Sequence, residues 1–225
     1  MNPAVLLALV LAGAFVLGAI PFGYLAGRMR GVDLRAHGSG NIGATNTLRV
    51  LGVGPGLVVL LFDVLKGLVP VLIAKGLPAL PGTEDGWPSA GAGLAAILGH
   101  TFSPFLRFKG GKGVATSLGV LIGLSPVVAG LSVALFLLVV AATRYVSLGS
   151  MVGAVAQSAL FFAPLAPGGK DFPLAFRLFG LLVAAFVLAK HRANIDRLRN
   201  RTESRLGQKK RGDSAAPRDT SKEVP

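Results

Sequence analysis

Val53-Gly-Pro-Gly-Leu-Val-Val-Leu-Leu-Phe-Asp-Val-Leu-Lys-Gly-Leu-Val-Pro-Val-Leu-Ile-Ala74 is an apolar block interrupted by only two charges, Asp63 and Lys66. The hydrocarbon core of a bilayer, about 30 Å thick, takes roughly 20 mostly apolar residues in helical form, and this block meets that length. Asp63 and Lys66 stand three apart, so on a helix they share a face and can neutralise one another inside the membrane. We read them as a structural pair rather than as reacting groups. Comparable blocks recur at Pro3–Gly27, Trp87–Phe105, Gly113–Leu124, Pro126–Thr143, Leu148–Pro164 and Pro173–Lys190. The sequence therefore predicts an all-α integral membrane protein with seven transmembrane helices.

Composition agrees. Hydrophobic residues make up 52% of the 225 and charged residues 15%, against about 25% charge in soluble domains, which excludes an ordinary water-soluble globule. The 31 Gly and 14 Pro follow no period, and the absence of cysteine removes disulfides, thiolate nucleophiles and Cys-based metal sites. The first block lacks a basic segment before it and is followed by Arg28, Arg30 and Arg35, so it reads as a retained span rather than a cleaved signal.

Charge fixes the count and the orientation. Gly113–Thr143 is long for one helix and breaks at Ser125-Pro126, where proline removes a donor and disfavours helix before it. Reading it as two spans puts 19 of the 23 Lys and Arg on one face, 11 of them from Lys190 onward, and leaves Lys75, Lys170 and Arg177 on the other. Six spans would place the basic tail opposite the first two basic loops, against the positive-inside rule. The N-terminus is thus expected to be external and the C-terminus cytoplasmic. Residues 1–206 form the membrane domain, while 207–225 are too polar to bury a core and are expected to be a disordered basic tail. That tail reads as a topological anchor at lipid headgroups; without interleaved aromatics it suggests no nucleic-acid partner.

Three polar segments fall on the cytoplasmic face of this topology. Gly38-Ser39-Gly40-Asn41-Ile42-Gly43-Ala44-Thr45-Asn46, followed by Arg49, combines backbone freedom for an anion-binding nest with neutral donors and a guanidinium fork suited to phosphate. His100 to Lys109-Gly110-Gly111-Lys112-Gly113 runs glycines and an ammonium into the start of a helix, where free N–H groups and the macrodipole favour anions. It is not a Walker loop, because Gly113 follows Lys112 and Leu106 stands where the first glycine belongs. The third comprises Arg144 to Ser150, with Ser147 or Ser150 as a helix cap, and His191-Arg192-Ala193-Asn194, whose His and Asn share a face if the helix continues.

Together these runs resemble the bacterial acyl-phosphate:glycerol-3-phosphate acyltransferases, the PlsY-type family, over nearly the whole chain to Leu206. The resemblance implies an inner-membrane enzyme that makes 1-acyl-glycerol 3-phosphate (lysophosphatidic acid) and phosphate from acyl phosphate and glycerol 3-phosphate, without cofactor or metal. It also points to membrane lipid as the surroundings and to a functional link with an acyl-phosphate-forming enzyme. It places Ser39, Arg49, Lys112, His191 and Asn194 in catalysis. Gly38, Gly40, Asn41, Thr45, Lys109, Gly110, Gly111, Gly113, Ser150 and, second to it, Ser147 would bind substrate. One departure is visible: Arg201-Thr202-Glu203 stands where the family commonly has Gly-Thr-Glu.

The expected chemistry is direct attack of the glycerol C1 hydroxyl on the acyl-phosphate carbonyl, with Arg49 and Lys112 stabilising the departing phosphate. His191 or a substrate phosphate oxygen would take the proton; an acyl-enzyme at Ser39 is the rival. The His-x4-Asp pair of thioester-using glycerol-phosphate acyltransferases is not expected here. A transporter of an anionic or phosphorylated solute is the alternative class, but no repeat relates the two halves.

Overall fold

In the computed structural model, residues 2–77, 85–167 and 169–208 are described; residues 209–225, most of the segment expected to be disordered, lie outside them. Helices carry the fold: α1 Pro3–Ala19, α2 Phe22–Arg28, α3 Ala44–Leu51, α4 Val53–Lys75, α5 Trp87–Thr101, α6 Val114–Leu124, α7 Pro126–Thr143, α8 Val146–Leu160, α9 Leu174–Lys190 and α10 Arg192–Arg199, with a 3-10 turn at Pro104–Leu106. Among the described residues no strand forms beyond one isolated bridge, Ala166 to Lys170.

The first predicted span stands as one stretch, Pro3–Arg28, built of two helical segments. Pro21 cannot donate to the preceding turn, and the chain kinks at Ile20. Carbonyls freed within a membrane need partners, and they find them on distant elements: Ser103 Oγ donates to Ala19 O at 2.6 Å and Lys66 Nζ donates to Ile20 O at 2.9 Å. Lys66 also meets Asp63 at 2.7 Å with both side chains buried, so the expected pair exists and additionally pins α4 to the kink in α1.

Elsewhere the helices approach through small residues, as membrane helices do when apolar burial gives no preference for protein over lipid. A Cβ on Gly18 would strike the Ala96 carbonyl across α1 and α5, and one on Gly67 or Gly119 would strike the facing backbone across α4 and α6. The outer surface is apolar instead: Leu9, Leu138 and Leu182 are each more than half exposed, as suits side chains facing lipid rather than water.

Three stretches, Pro3–Arg28, Val53–Lys75 and Pro126–Thr143, are long and apolar enough to cross a membrane, and α9 with α10 makes a fourth if the pair, bent by 57°, is one span; α6 and α8 are apolar but shorter. The eleven residues of α6 cover only about 16 Å. Contacts of Gly123 with Val71 put α6 alongside the far half of α4, so it begins about nine residues, or ~13 Å, deeper than α4 does. The near half of α4 therefore has no turn of α6 beside it. Helix α3 packs across it, Leu48 touching the position of Gly56.

Candidate active site

A cavity of about 550 Å³ starts at the level of that near half of α4 and runs down past Leu118 and Leu121 of α6. Its polar end gathers Ser39, Asn41, Thr45, Arg49, Lys112, Gly113, Ser147, Ser150, His191 and Asn194 from segments more than 150 residues apart. Gly38, Gly40, Lys109, Gly110 and Gly111, also expected at the site, do not line it.

The first motif differs from the open backbone nest expected for it. Asn46, buried on α3, clasps it. Its Oδ1 accepts the Ser39 N–H at 2.8 Å, and its Nδ2 donates to Leu34 O and His37 O. The Gly40 N–H goes to His37 O and the Gly43 N–H to Asn41 Oδ1. With these three amides engaged, the segment presents to a ligand the side chains of Ser39 at the loop and Arg49 on α3, beside the uncapped start of α3 at Ala44 and Thr45. Asn46 was within the motif, but its partners lie up to twelve residues upstream and no spacing rule indicates them.

In the second motif the glycines serve approach rather than anion binding. Gly110 N–H donates to Thr101 O and Gly111 N–H to His100 O, and a Cβ at Gly111 would collide with the His100 imidazole. The two glycines let the loop fold flat against the end of α5, which sets Lys112 at the sunken start of α6. Lys109 stays exposed. His100 itself is buried, 3.7 Å from Asp63, and both border the cavity.

In the third segment, neither serine caps α8. The helix starts at Val146 without a side-chain cap; Ser150 Oγ returns to Val146 O, and Ser147 Oγ donates to Glu203 Oε1 at 2.7 Å. His191 and Asn194 do not ride on one continuing helix, because the chain bends by 57° between α9 and α10. The bend delivers Asn194 to Lys112, whose ammonium donates to Asn194 Oδ1. The Asn194 Nδ2 in turn donates to Glu203 Oε1 at 2.7 Å, and Arg197 Nε reaches Glu203 Oε2 at 2.7 Å. Glu203 is thus the acceptor that holds Ser147, Asn194 and Arg197 together. Its sequence signal was its place in Arg201-Thr202-Glu203, one of two acids, with Asp196, in the basic stretch 190–205.

Glu203 is presented by the end of α10. Thr202 N–H bonds Arg197 O and Arg201 N–H bonds Leu198 O, with Arg201 at φ +57. This is a Schellman closure, whose left-handed residue is normally glycine. The family glycine and this chain's Arg201 therefore occupy a backbone position that a side chain strains by about 1 kcal/mol.

Protonation follows from these surroundings. Burial lowers the Lys112 ammonium to about 8, Glu203 opposing and Arg197 and Arg49 adding to the shift; it remains charged at pH 7. Burial, reinforced by Lys112, lowers His191 to about 4, so its imidazole is neutral. Its Nδ1 lies 2.8 Å from Val187 O. A carbonyl only accepts, so Nδ1 carries the hydrogen and Nε2 keeps the lone pair. Burial raises the Glu203 carboxyl, but hydrogen bonds from Ser147, Arg197 and Asn194 outweigh it and leave the group below its ordinary value. The polar end therefore offers two fixed cations and a neutral base.

The His-x4-Asp spacing expected to be missing is in fact present as His191 and Asp196. It does not make a dyad: Asp196 is exposed on α10 while the imidazole N–H is spent on Val187 O.

Residues 8–201 match the family model described as Glycerol-3-phosphate acyltransferase. The chain belongs to the glycerol-3-phosphate acyltransferase family. Within the family, a protein of that name from Geobacter sulfurreducens is 51% identical over 195 residues, covering 87% of this chain and 95% of the relative. One from Thermus thermophilus is 50% identical over 196 residues, covering 87% and 93%. Among solved structures, the integral membrane glycerol 3-phosphate acyltransferase PlsY (YgiH) in its glycerol 3-phosphate form superposes with a TM-score of 0.81 at 39% identity, covering 89% of this chain and 96% of that one. Its lysophosphatidic acid form gives 0.79 at 38%. The all-helical membrane fold is therefore that of the family.

Proposed function

We propose that the protein transfers an acyl group from an acyl phosphate to the C1 hydroxyl of glycerol 3-phosphate, releasing 1-acyl-glycerol 3-phosphate and inorganic phosphate. The observation that carries this reading is the two-part character of one cavity. Arg49 and Lys112 stand at a polar end, and the walls beyond are mainly apolar, with Leu57 and Leu60 of α4 and Leu137 of α7 each bordering the cavity while more than a third exposed on the lipid-facing surface. An amphiphile with a phosphorylated head and an alkyl tail entering from the bilayer fits both halves, and a second phosphate on glycerol fits the same cations.

In the step itself, the C1 oxygen forms the new ester bond to the carbonyl carbon, the bond from that carbon to the phosphate oxygen breaks, and the electron pair leaves with phosphate. Arg49 and Lys112 stabilise that charge. The hydroxyl proton passes to His191 Nε2, which burial keeps neutral and whose tautomer Val187 fixes. Asn194 holds Lys112 and is itself held by Glu203. Seven crossings of a bacterial inner membrane, with the N-terminus external and the site on the cytoplasmic side, belong to the same proposal; the distribution of Lys and Arg supports them.

The test is product formation by the purified protein from glycerol 3-phosphate with acyl phosphate, acyl-CoA or acyl carrier protein as donor. Lysophosphatidic acid from acyl phosphate alone is expected, and turnover of a thioester would overturn the donor assignment. Arg49→Ala and Lys112→Ala should each cost at least about tenfold in kcat/KM; near-normal kinetics in both would remove the phosphate-gripping role. Labelled acyl trapped on Ser39 in the absence of glycerol 3-phosphate would replace direct attack by an acyl-enzyme.

A further inference from the structure

The deep wall of the cavity carries polar groups that the acyl-transfer step does not use. Gln157 on α8 is 1% exposed, and neither its Oε1 nor its Nε2 has a hydrogen-bond partner; Ser132 on α7 is 5% exposed with an unpartnered Oγ. Both line the cavity. Buried side-chain amides lacking every partner are uncommon in folded proteins, and here two helices place such groups at similar depth. Gly149 faces Phe136 and Val140, and Gly153 faces Ser132 and Phe136, so α7 and α8 run antiparallel. The next turn of α8 brings Gln157 to the far side of Ser132. Along the α8 axis Gln157 lies seven residues beyond Ser150, about 10 Å deeper. The wall between is mainly apolar, formed by Leu121, Val133, Phe136 and Ala154, with Ser117 on the first turn of α6 its polar exception nearer Lys112.

We infer that Gln157, seconded by Ser132, is the length stop for the acyl chain, which makes it a specificity-determining residue. The inference rests on the reading that the apolar half of the cavity holds the tail of the acyl donor. A tail that grows along Phe136 and Ala154 gains with each methylene it buries. A tail that ends short of Gln157 leaves the amide room to be hydrated. One that reaches it covers two donors and an acceptor with methylenes that answer neither, so the gain reverses sharply at one chain length. The stop works by exclusion and needs no contact with the reacting carbonyl.

The experiment measures kcat/KM of the full-length purified enzyme for a series of saturated acyl phosphates from about ten to about twenty carbons, with glycerol 3-phosphate fixed, in wild type, Gln157→Met and Ser132→Ala. Methionine is unbranched like glutamine and lacks the amide. Wild type should fall steeply beyond one length. Gln157→Met should move that fall outward by about two carbons, raise the ratio of the excluded to the preferred length by at least about fivefold, and leave the preferred length within about twofold. Ser132→Ala should shift the profile the same way by less, and it serves alone if the methionine variant does not fold. A flat wild-type profile, or profiles of unchanged shape in the folded variants even with uniformly lower rates, overturns the stop. If no acyl phosphate yields product, the donor assignment has failed instead, and the same series with acyl-CoA decides the stop by the same criteria.

Discussion

Exchanging Glu203 for Gln tests the contacts that set the charge of Lys112. The carboxylate accepts from Ser147 Oγ, Asn194 Nδ2 and Arg197 Nε, whereas a Gln amide has one acceptor oxygen and must turn its NH2 toward another donor. Lys112 lies behind Asn194, roughly 6 Å from the carboxylate by two hydrogen bonds and the width of an amide. Across that gap, with an effective dielectric of about 20 to 40, two unit charges interact by roughly 1.4 to 2.8 kcal/mol. That equals about one to two pK units. Since Glu203 holds Lys112 up against burial, Glu203→Gln lowers Lys112 further. Lys112 grips phosphate only when charged, so activity is present below its pKa and lost as pH rises through it. The basic limb of kcat/KM should move from about 8 in wild type to about 7 or below. The assay is lysophosphatidic acid formation from about pH 6 to about pH 9.5 at constant ionic strength, with Lys112→Arg as a control whose permanent charge abolishes the limb. A limb that stays at about 8 in Glu203→Gln, however slow the enzyme, refutes the electrostatic link through Asn194.

On the acid side, His191 must keep its lone pair, so activity should hold down to about pH 5 and be lost as pH falls through about 4. His191→Gln should lower kcat at least about tenfold with little change in the KM for glycerol 3-phosphate; an unchanged kcat would give the proton to a substrate phosphate. Arg201→Gly relieves the left-handed position at the end of α10 and should stabilise the protein by about 1 kcal/mol, seen as a Tm about 2–4 °C higher with kcat unchanged; a lower Tm would contradict the Schellman reading. Gly111→Ala drives a methyl into His100 and should leave less than about a tenth of the activity by displacing Lys112. The double variant with His100→Ala should recover part of it if the clash is the cause, and no recovery would show that His100 is needed for itself.

The all-helical, apolar character was legible because a helix in lipid must be apolar over contiguous residues, and contiguity is what a sequence displays. Leu124 and Pro126 bounded their helices as expected, and Asp63 and Lys66 formed their pair because it needs only helical spacing. The motifs indicated Arg49, Lys112, His191 and Asn194 by residue type, and the cavity brings all four together. Reading function into every glycine of a motif failed at Gly110 and Gly111, whose purpose depends on His100 lying directly beneath them. The roles of Asn46 and Gln157 were not legible, and Glu203 was marked only by its place in Arg201-Thr202-Glu203, because each matters through partners, or a lack of them, that the tertiary structure sets.

What the sequence determined alone was composition along the chain, namely which segments are apolar enough to prefer lipid. The tertiary structure decided depth and convergence. The late start of α6 beside α4 and the 57° bend at His191 go with close packing between helices, and packing is a relation between surfaces that no single stretch of chain contains.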